Sequence, residues 1–117
     1  MNRTVERLEH FRAYIERRLD DTDFRLQEVA RAFCLSDSYV RRVFRQGDES
    51  LSVFVRRRRL ELAARRLRDG RWAHRTILAI ALDCGFNDAA HFSRFFVRCF
   101  GMSPRAYRVH HRALGAV

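Results

Sequence analysis

The chain has 117 residues, 47% of them hydrophobic, and 24 Lys+Arg against 14 Asp+Glu give a formal net charge of +10. Such a length holds one domain or two very small lobes, and 10 Phe make a real core affordable. No apolar run approaches the roughly 18 residues of a membrane span, and with a charged start from Met1 to His10 no signal peptide is expected.

All 24 cations are Arg, whose rigid fork suits phosphate and guanine edges. Codon bias would enrich Arg evenly, so its distribution is informative. Residues 1–36 carry seven Arg and seven acids, residues 37–75 twelve and five, and residues 76–117 five and two. The excess begins with the first candidate recognition helix, which favours a polyanion partner. Cys34, Cys84 and Cys99 have no C-x-x-C spacing, so neither a disulfide framework nor a zinc site is expected, and a reduced cytoplasm suits the chain. Two of the three are expected as small, partly buried packing residues near turns.

In chain order, Thr4 can cap a first helix whose apolar stripe is Val5, Leu8, Phe11, Ile15 and Leu19. Its charges alternate in sign, as on a solvated outer face. Asp20-Asp21-Thr22-Asp23 ends it and offers caps for the second helix. Leu26, Val29, Ala30 and Phe33 define that short helix, Cys34-Leu35 a turn, and Ser36 an N-cap. The next helix, about Asp37 to Gln46, buries Val40, Val43 and Phe44. Gly47-Asp48-Glu49-Ser50 breaks the pattern before a long helix, with Ser50 or Ser52 as its cap. Leu51, Phe54, Val55, Leu60, Ala63, Ala64 and Leu67 are its apolar positions, and Gly70 is its expected C-cap. Arg56-Arg57-Arg58-Arg59 wraps around its first half, so both phosphate contact and a solvated face are open for each.

Thr76 can cap the following helix, on which Ile77, Ile80 and Ala81 recur at helical spacing. Asp83-Cys84-Gly85-Phe86 interrupts it, and Gly85 can take the positive φ of a sharp turn. Asn87 and Asp88 are good N-caps for a helix whose Phe92, Phe95, Phe96 and Phe100 mark a core face rather than a base-stacking platform. Ser103, with Pro104 at the first helical position, starts a last helix that Tyr107 packs against the preceding one, and fraying is expected from His110-His111 onward. That His pair has no third ligand at metal-site spacing, so no metal or other cofactor is expected.

The chain repeats itself. Leu26, Val29, Ala30 and Leu35 map onto Ile77, Ile80, Ala81 and Phe86 at an offset of 51, and Val40, Arg42, Val43 and Phe44 map onto Phe92, Arg94, Phe95 and Phe96 at an offset of 52. The extra residue falls at the turn-to-helix junction. Each copy outlines a helix-turn-helix. The expected fold is therefore all-α, about seven helices, with lobe one at about 1–49, a linker helix at about 50–69 and lobe two at about 70–112. About 17 residues of linker helix span roughly 25 Å, enough to hold two lobes about one DNA turn apart.

The stretch Ile77 to Tyr107 resembles the AraC/XylS transcription regulators. It matches their pattern at Ile80, Ala81, Gly85, Phe86, Asp88, Phe92, Ser93, Arg94, Phe96, Phe100, Gly101, Ser103, Pro104 and Tyr107, and Arg108 continues the match. The resemblance runs from about Phe24 to Arg108. It implies double-stranded DNA as partner, recognition helices in successive major grooves, activation through contact with RNA polymerase, and a cytoplasmic, nucleoid-associated location. A stand-alone regulator and the DNA-binding portion of a longer one are both open, as is the oligomeric state; two motifs let a monomer bind DNA, and a dimer is possible within a longer protein.

In a helix-turn-helix the second helix reads the major groove from its exposed N-terminal face. In copy one that face offers Ser38, Arg41, Arg42 and Arg45, and the first three match the family's base-reading sites. Arg41 or Arg42 can grip guanine O6/N7 with two hydrogen bonds. Copy two offers Ala89, Ala90, His91, Ser93 and Arg94. Ala touches a thymine methyl but donates nothing, so Arg94 is the clear candidate there, although the resemblance implies that this Arg can equally bridge to phosphate or buttress its helix; Val97 replaces the family's usual Lys. Copy one is therefore expected to supply more hydrogen-bonded readout. Two other classes stay open: a protein-interaction adaptor or anti-activator that kept the fold, supported by Ala89, Ala90 and Val97, and a non-specific nucleic-acid binder. An enzyme is not expected, since no nucleophile–base pair, carboxylate dyad or phosphate loop is present.

Overall fold

A computed structural model describes residues 3–21 and 23–115. Met1 and Thr22, part of the expected start and of the expected acidic break, lie outside the described residues. Among those described there are seven α-helices and no strand: α1 (Arg3–Glu16), α2 (Gln27–Ala32), α3 (Asp37–Arg45), α4 (Leu51–Arg68), α5 (Ile77–Asp83), α6 (Ala89–Phe100) and α7 (Pro104–Gly115). No helix is long and apolar enough to cross a membrane. The chain forms two compact units, Met1–Arg58 and Arg59–Val117, and the boundary falls inside α4.

In the first unit α1 packs on α2 and α3. Phe11 meets Phe33 edge-on at 5.0 Å and stacks on Phe44 at 6.1 Å, and Phe44 reaches Phe54 of α4 at 5.7 Å. Ring pairs in this range add to the burial of their area. Of the expected α1 stripe, Phe11, Ile15 and Leu19 are buried, whereas Val5 is 43% exposed. At about 21 Å, α1 is longer than either short helix beneath it, so its first turn stays uncovered. Leu8 is half-buried and closes on Gly47, where an added Cβ would lie 2.9 Å from its Cδ2.

Two expected caps are displaced here. Thr4 sits inside α1, which begins at Arg3. The Asp21 carboxylate accepts from the Asp23 N–H at 2.9 Å, stabilising its own turn, and α2 opens at Leu26 without a side-chain cap. Ser50, not Ser52, caps α4, accepting from the Val53 N–H at 3.3 Å.

In the second unit Leu60, Ala63, Ala64 and Leu67 of α4 join Ile80, Ala81, Cys84, Phe86, Phe92, Phe96 and Tyr107 in one core. Phe96 meets Phe100 at 4.6 Å and Tyr107 at 5.2 Å, so Tyr107 seats α7 on α6 as expected. Its hydroxyl accepts from Arg68 Nη1 at 2.7 Å. Gly70 differs from expectation: it opens a 3₁₀ turn, Gly70–Trp72, whose N-cap is Asp69, and has no positive φ. The left-handed glycine cap occurs instead at Gly101, φ 76°, closing α6. Helix α7 runs through His110-His111 to Gly115.

Candidate nucleic-acid interface

Each motif is a short helix, a left-handed corner and a capped second helix. In the first, the Leu35 N–H returns to the Ala30 carbonyl at 2.9 Å; in the second, Phe86 returns to Ala81 at 3.0 Å. The corner residue just before these has φ 57° at Cys34 and φ 94° at Gly85. A side chain at such φ is disfavoured, so Gly85 is at ease and Cys34 is strained. Gly85 is constrained by space as well, because a Cβ there would come within 2.8 Å of the Arg59 guanidinium. After the corner, Leu35 is followed at once by the N-cap Ser36, whereas Phe86 is followed by Asn87 and then the N-cap Asp88. Asn87 is thus the extra residue of the second copy.

The caps fix where each recognition helix starts. Ser36 Oγ accepts from the Tyr39 N–H at 3.1 Å. Asp88 accepts from the N–H groups of Ala90 at 2.9 Å and His91 at 3.1 Å. Those two donors, helped by the charge of Arg94, hold its carboxyl below the ordinary value.

On α3 the expected readers Ser38, Arg41, Arg42 and Arg45 are all exposed and share one face at i, i+3, i+4 and i+7 spacing, opposite buried Val40, Val43 and Phe44. Sequence reading missed two neighbours of this face. Tyr39, half-buried at its rim, carries the Arg42 guanidinium over its ring at 5.3 Å, and Arg7 of α1 lies over the same ring at 5.1 Å. The i, i+3 spacing of Tyr39 and Arg42 was a usable signal for the first contact; nothing local announces the second.

On α6 Ala89, Ala90, His91, Ser93 and Arg94 are likewise all exposed. His91 stacks on Phe95 at 6.4 Å, one turn along. Val97 is 45% exposed, an apolar spot on a helix otherwise presenting small and polar groups.

Partners sort the many Arg. Arg57 binds Glu49 at 2.6 Å and Arg58 binds Glu16, so both of these α4 Arg are held by carboxylates of their own unit. The Glu49 carboxyl is lowered by the hydrogen bond from Arg57. Arg71 pairs with Asp69 and Arg75 with Asp83. Arg66 stacks over Trp72 at 4.3 Å and points Nη1 at Cys84 Sγ, 3.7 Å away, while Arg108 donates to the Trp72 carbonyl at 2.6 Å. Among the described residues, none of Arg7, Arg41, Arg42, Arg45 and Arg94 has an ion pair or a hydrogen-bonding side-chain partner. The α3 face, its α1 neighbour and the middle of α6 thus keep their guanidinium edges open to an outside anion.

All three Cys are free; Cys84 is buried, and burial pushes its thiol up to about 11, which keeps it inert. Cys34, expected to be partly buried, is exposed at the left-handed corner. No cluster of three His, Cys, Asp or Glu among the described residues could hold a metal.

Comparison with known proteins agrees with this geometry. Residues 29–110 match the model of a helix-turn-helix domain family. The chain is 36% identical over 97 residues to the regulatory protein SoxS of Escherichia coli (strain K12), covering 82% of this chain and 87% of that one. It is 34% identical over 115 residues to the transcriptional activator NphR of Rhodococcus sp, covering 96% of this chain. It is 35% identical over 97 residues to the arabinose operon regulatory protein of Escherichia coli (strain K12). The chain spans 32% of the length of each of the latter two. Among solved structures, the C-terminal domain of AraT, a response regulator from Geobacillus stearothermophilus, superposes with a TM-score of 0.76 at 27% identity, over 93% of this chain and 88% of that one.

Proposed function

Since the chain belongs to the AraC/XylS family of transcription regulators and carries an AraC-type helix-turn-helix DNA-binding domain, we propose that it binds double-stranded DNA sequence-specifically and activates transcription. Helices α3 and α6 each enter a major groove and read one block of bases. On α3, Arg41 and Arg42 take guanine edges with paired hydrogen bonds and Ser38 takes a base or a phosphate, while Arg45 lies one turn further along for the backbone. On α6, Ala89 and Ala90 press on thymine methyls, His91 and Ser93 approach the backbone, and Arg94 is the one long donor. The observation that carries this reading is the α3 face: three exposed Arg with no competing carboxylate, on a helix whose start Ser36 fixes. Affinity comes largely from phosphate contacts and falls steeply with salt.

Activation rests on the relatives, one of which is named a transcriptional activator. It requires contact with RNA polymerase, which a transcription assay with purified polymerase measures. One chain carries both motifs, so a monomer suffices for binding. A second reading, a protein-interaction module that kept the fold, draws on exposed Val97 and the two Ala at the start of α6.

Selection from a randomised duplex pool separates these readings. An enriched motif with two base blocks supports sequence-specific regulation. Salt-sensitive binding without a motif leaves a non-specific nucleic-acid binder, and no binding at all favours the protein-interaction module.

A further inference from the structure

The three-part stack at the rim of α3 has a role beyond packing. We propose that Tyr39 is a positioning residue of the DNA interface, holding Arg42 for base readout and recruiting Arg7 of α1 as a phosphate contact beside it. The proposal rests on the DNA-binding reading above.

A guanidinium has two kinds of surface. Its flat face stacks on an aromatic ring, and its edge carries five N–H donors. Arg57, Arg58, Arg71 and Arg75 spend that edge on Glu49, Glu16, Asp69 and Asp83. Arg42 and Arg7 are held differently, with Cζ 5.3 Å and 5.1 Å from the Tyr39 ring centroid, and no ion pair among the described residues engages either edge. Stacking restricts where the side chain points without using the donors that read a base or bind a phosphate. Less rotamer freedom is then lost when DNA arrives.

The second cation is the informative part. Two guanidiniums on one ring are no more than about 10 Å apart, within one screening length at ~0.1 M salt, so they repel each other in the free protein. Glu6 and Glu9 on α1 and Asp37 on α3 are the acids nearest in sequence, and none of them forms an ion pair with either Arg among the described residues. An anion beside the pair relieves the repulsion, and the anion available beside a helix lying in a groove is a backbone phosphate. Tyr39 thereby joins an α1 residue to the recognition helix.

The test uses the full chain and a duplex carrying its selected motif, with affinity titrated against salt. For Arg7→Ala, the slope of log Kobs on log salt becomes shallower by about 0.9 while base preferences stay as in the wild type. Tyr39→Leu shows the same shallower slope and also loses about 2- to 5-fold of the preference at the base that Arg42→Ala relaxes. Tyr39→Phe, which keeps the ring, behaves as the wild type. An unchanged slope in Arg7→Ala overturns the proposal, as does a folded Tyr39→Leu with intact base preference. Should Tyr39→Leu fail to fold, Arg7→Ala and Tyr39→Phe decide alone: wild-type behaviour of the first or loss in the second counts against it. A wild-type chain that selects no motif removes the functional reading itself. A motif that Arg42→Ala relaxes but the Arg7 and Tyr39 variants leave intact removes only this inference.

Discussion

The two helix-turn-helix copies share a frame and differ in everything the frame leaves free. Val29 and Ile80, Ala30 and Ala81, Phe44 and Phe96 are buried at equivalent positions. On the outside, the first copy presents three Arg and a Ser where the second presents two Ala, a His, a Ser and one Arg. The frame needs apolar side chains at fixed helical spacing, a left-handed corner and a cap. The reading face needs only exposure, so it can be rich in donors in one copy and poor in the other. The corner itself varies too: glycine at Gly85, a strained cysteine at Cys34.

The equivalence of the two frames is most exposed to attack in their cores. Phe44 and Phe96 are both 0% exposed, so Phe44→Ala and Phe96→Ala are each expected to cost about 3–5 kcal/mol in urea denaturation. A loss below about 1 kcal/mol in either would show that the positions are not equivalent. The corners come next. Gly85→Cys places a side chain at φ 94° and against Arg59, with an expected loss of about 1–3 kcal/mol. The reverse change, Cys34→Gly, relieves strain at φ 57° and is expected to stabilise by up to about 1 kcal/mol. Thermal melts that rank the two changes the other way round would contradict the assignment of strain to Cys34.

The caps give a smaller and pH-dependent contrast. Ser36→Ala is expected to cost about 1 kcal/mol at any pH, because a hydroxyl does not titrate. Asp88 is held below the ordinary 3.8 by its two backbone donors. A carboxyl with a lowered folded value contributes its full stabilisation above 3.8 and loses it as pH falls through the lowered value. Acid therefore weakens the start of α6 and leaves the Ser36 cap of α3 intact. In Asp88→Asn that part of the acid dependence disappears; an unchanged acid profile would contradict it.

Much of the frame was legible in the sequence because its chemistry is local. Ser36, Thr76, Asp88 and Ser103 each cap a helix within three residues of themselves, and the 51- and 52-residue offsets exposed the repeat. Local signals also misled, since a cap needs its helix to begin beside it. Thr4 lies inside α1, Asp21 serves its own turn, and Gly70 opens a 3₁₀ turn. The nine expected reading residues are all exposed on α3 and α6, which follows from helical periodicity alone. What the sequence hid is tertiary. Arg58 finds Glu16 from another helix, and Arg7 reaches Tyr39 only because α1 packs on α3. Sorting the Arg into held and available ones required those contacts.

The asymmetry between the reading faces is tested most directly by titrating the selected duplex and its single-base variants with wild type, Arg41→Ala and Arg94→Ala. Arg41→Ala is expected to remove about 1–3 kcal/mol of discrimination at one base of the α3 block. Arg94→Ala is expected to remove less, under about 1 kcal/mol, and at the α6 block. Discrimination lost mainly in Arg94→Ala, with Arg41→Ala still selective, would contradict the asymmetry.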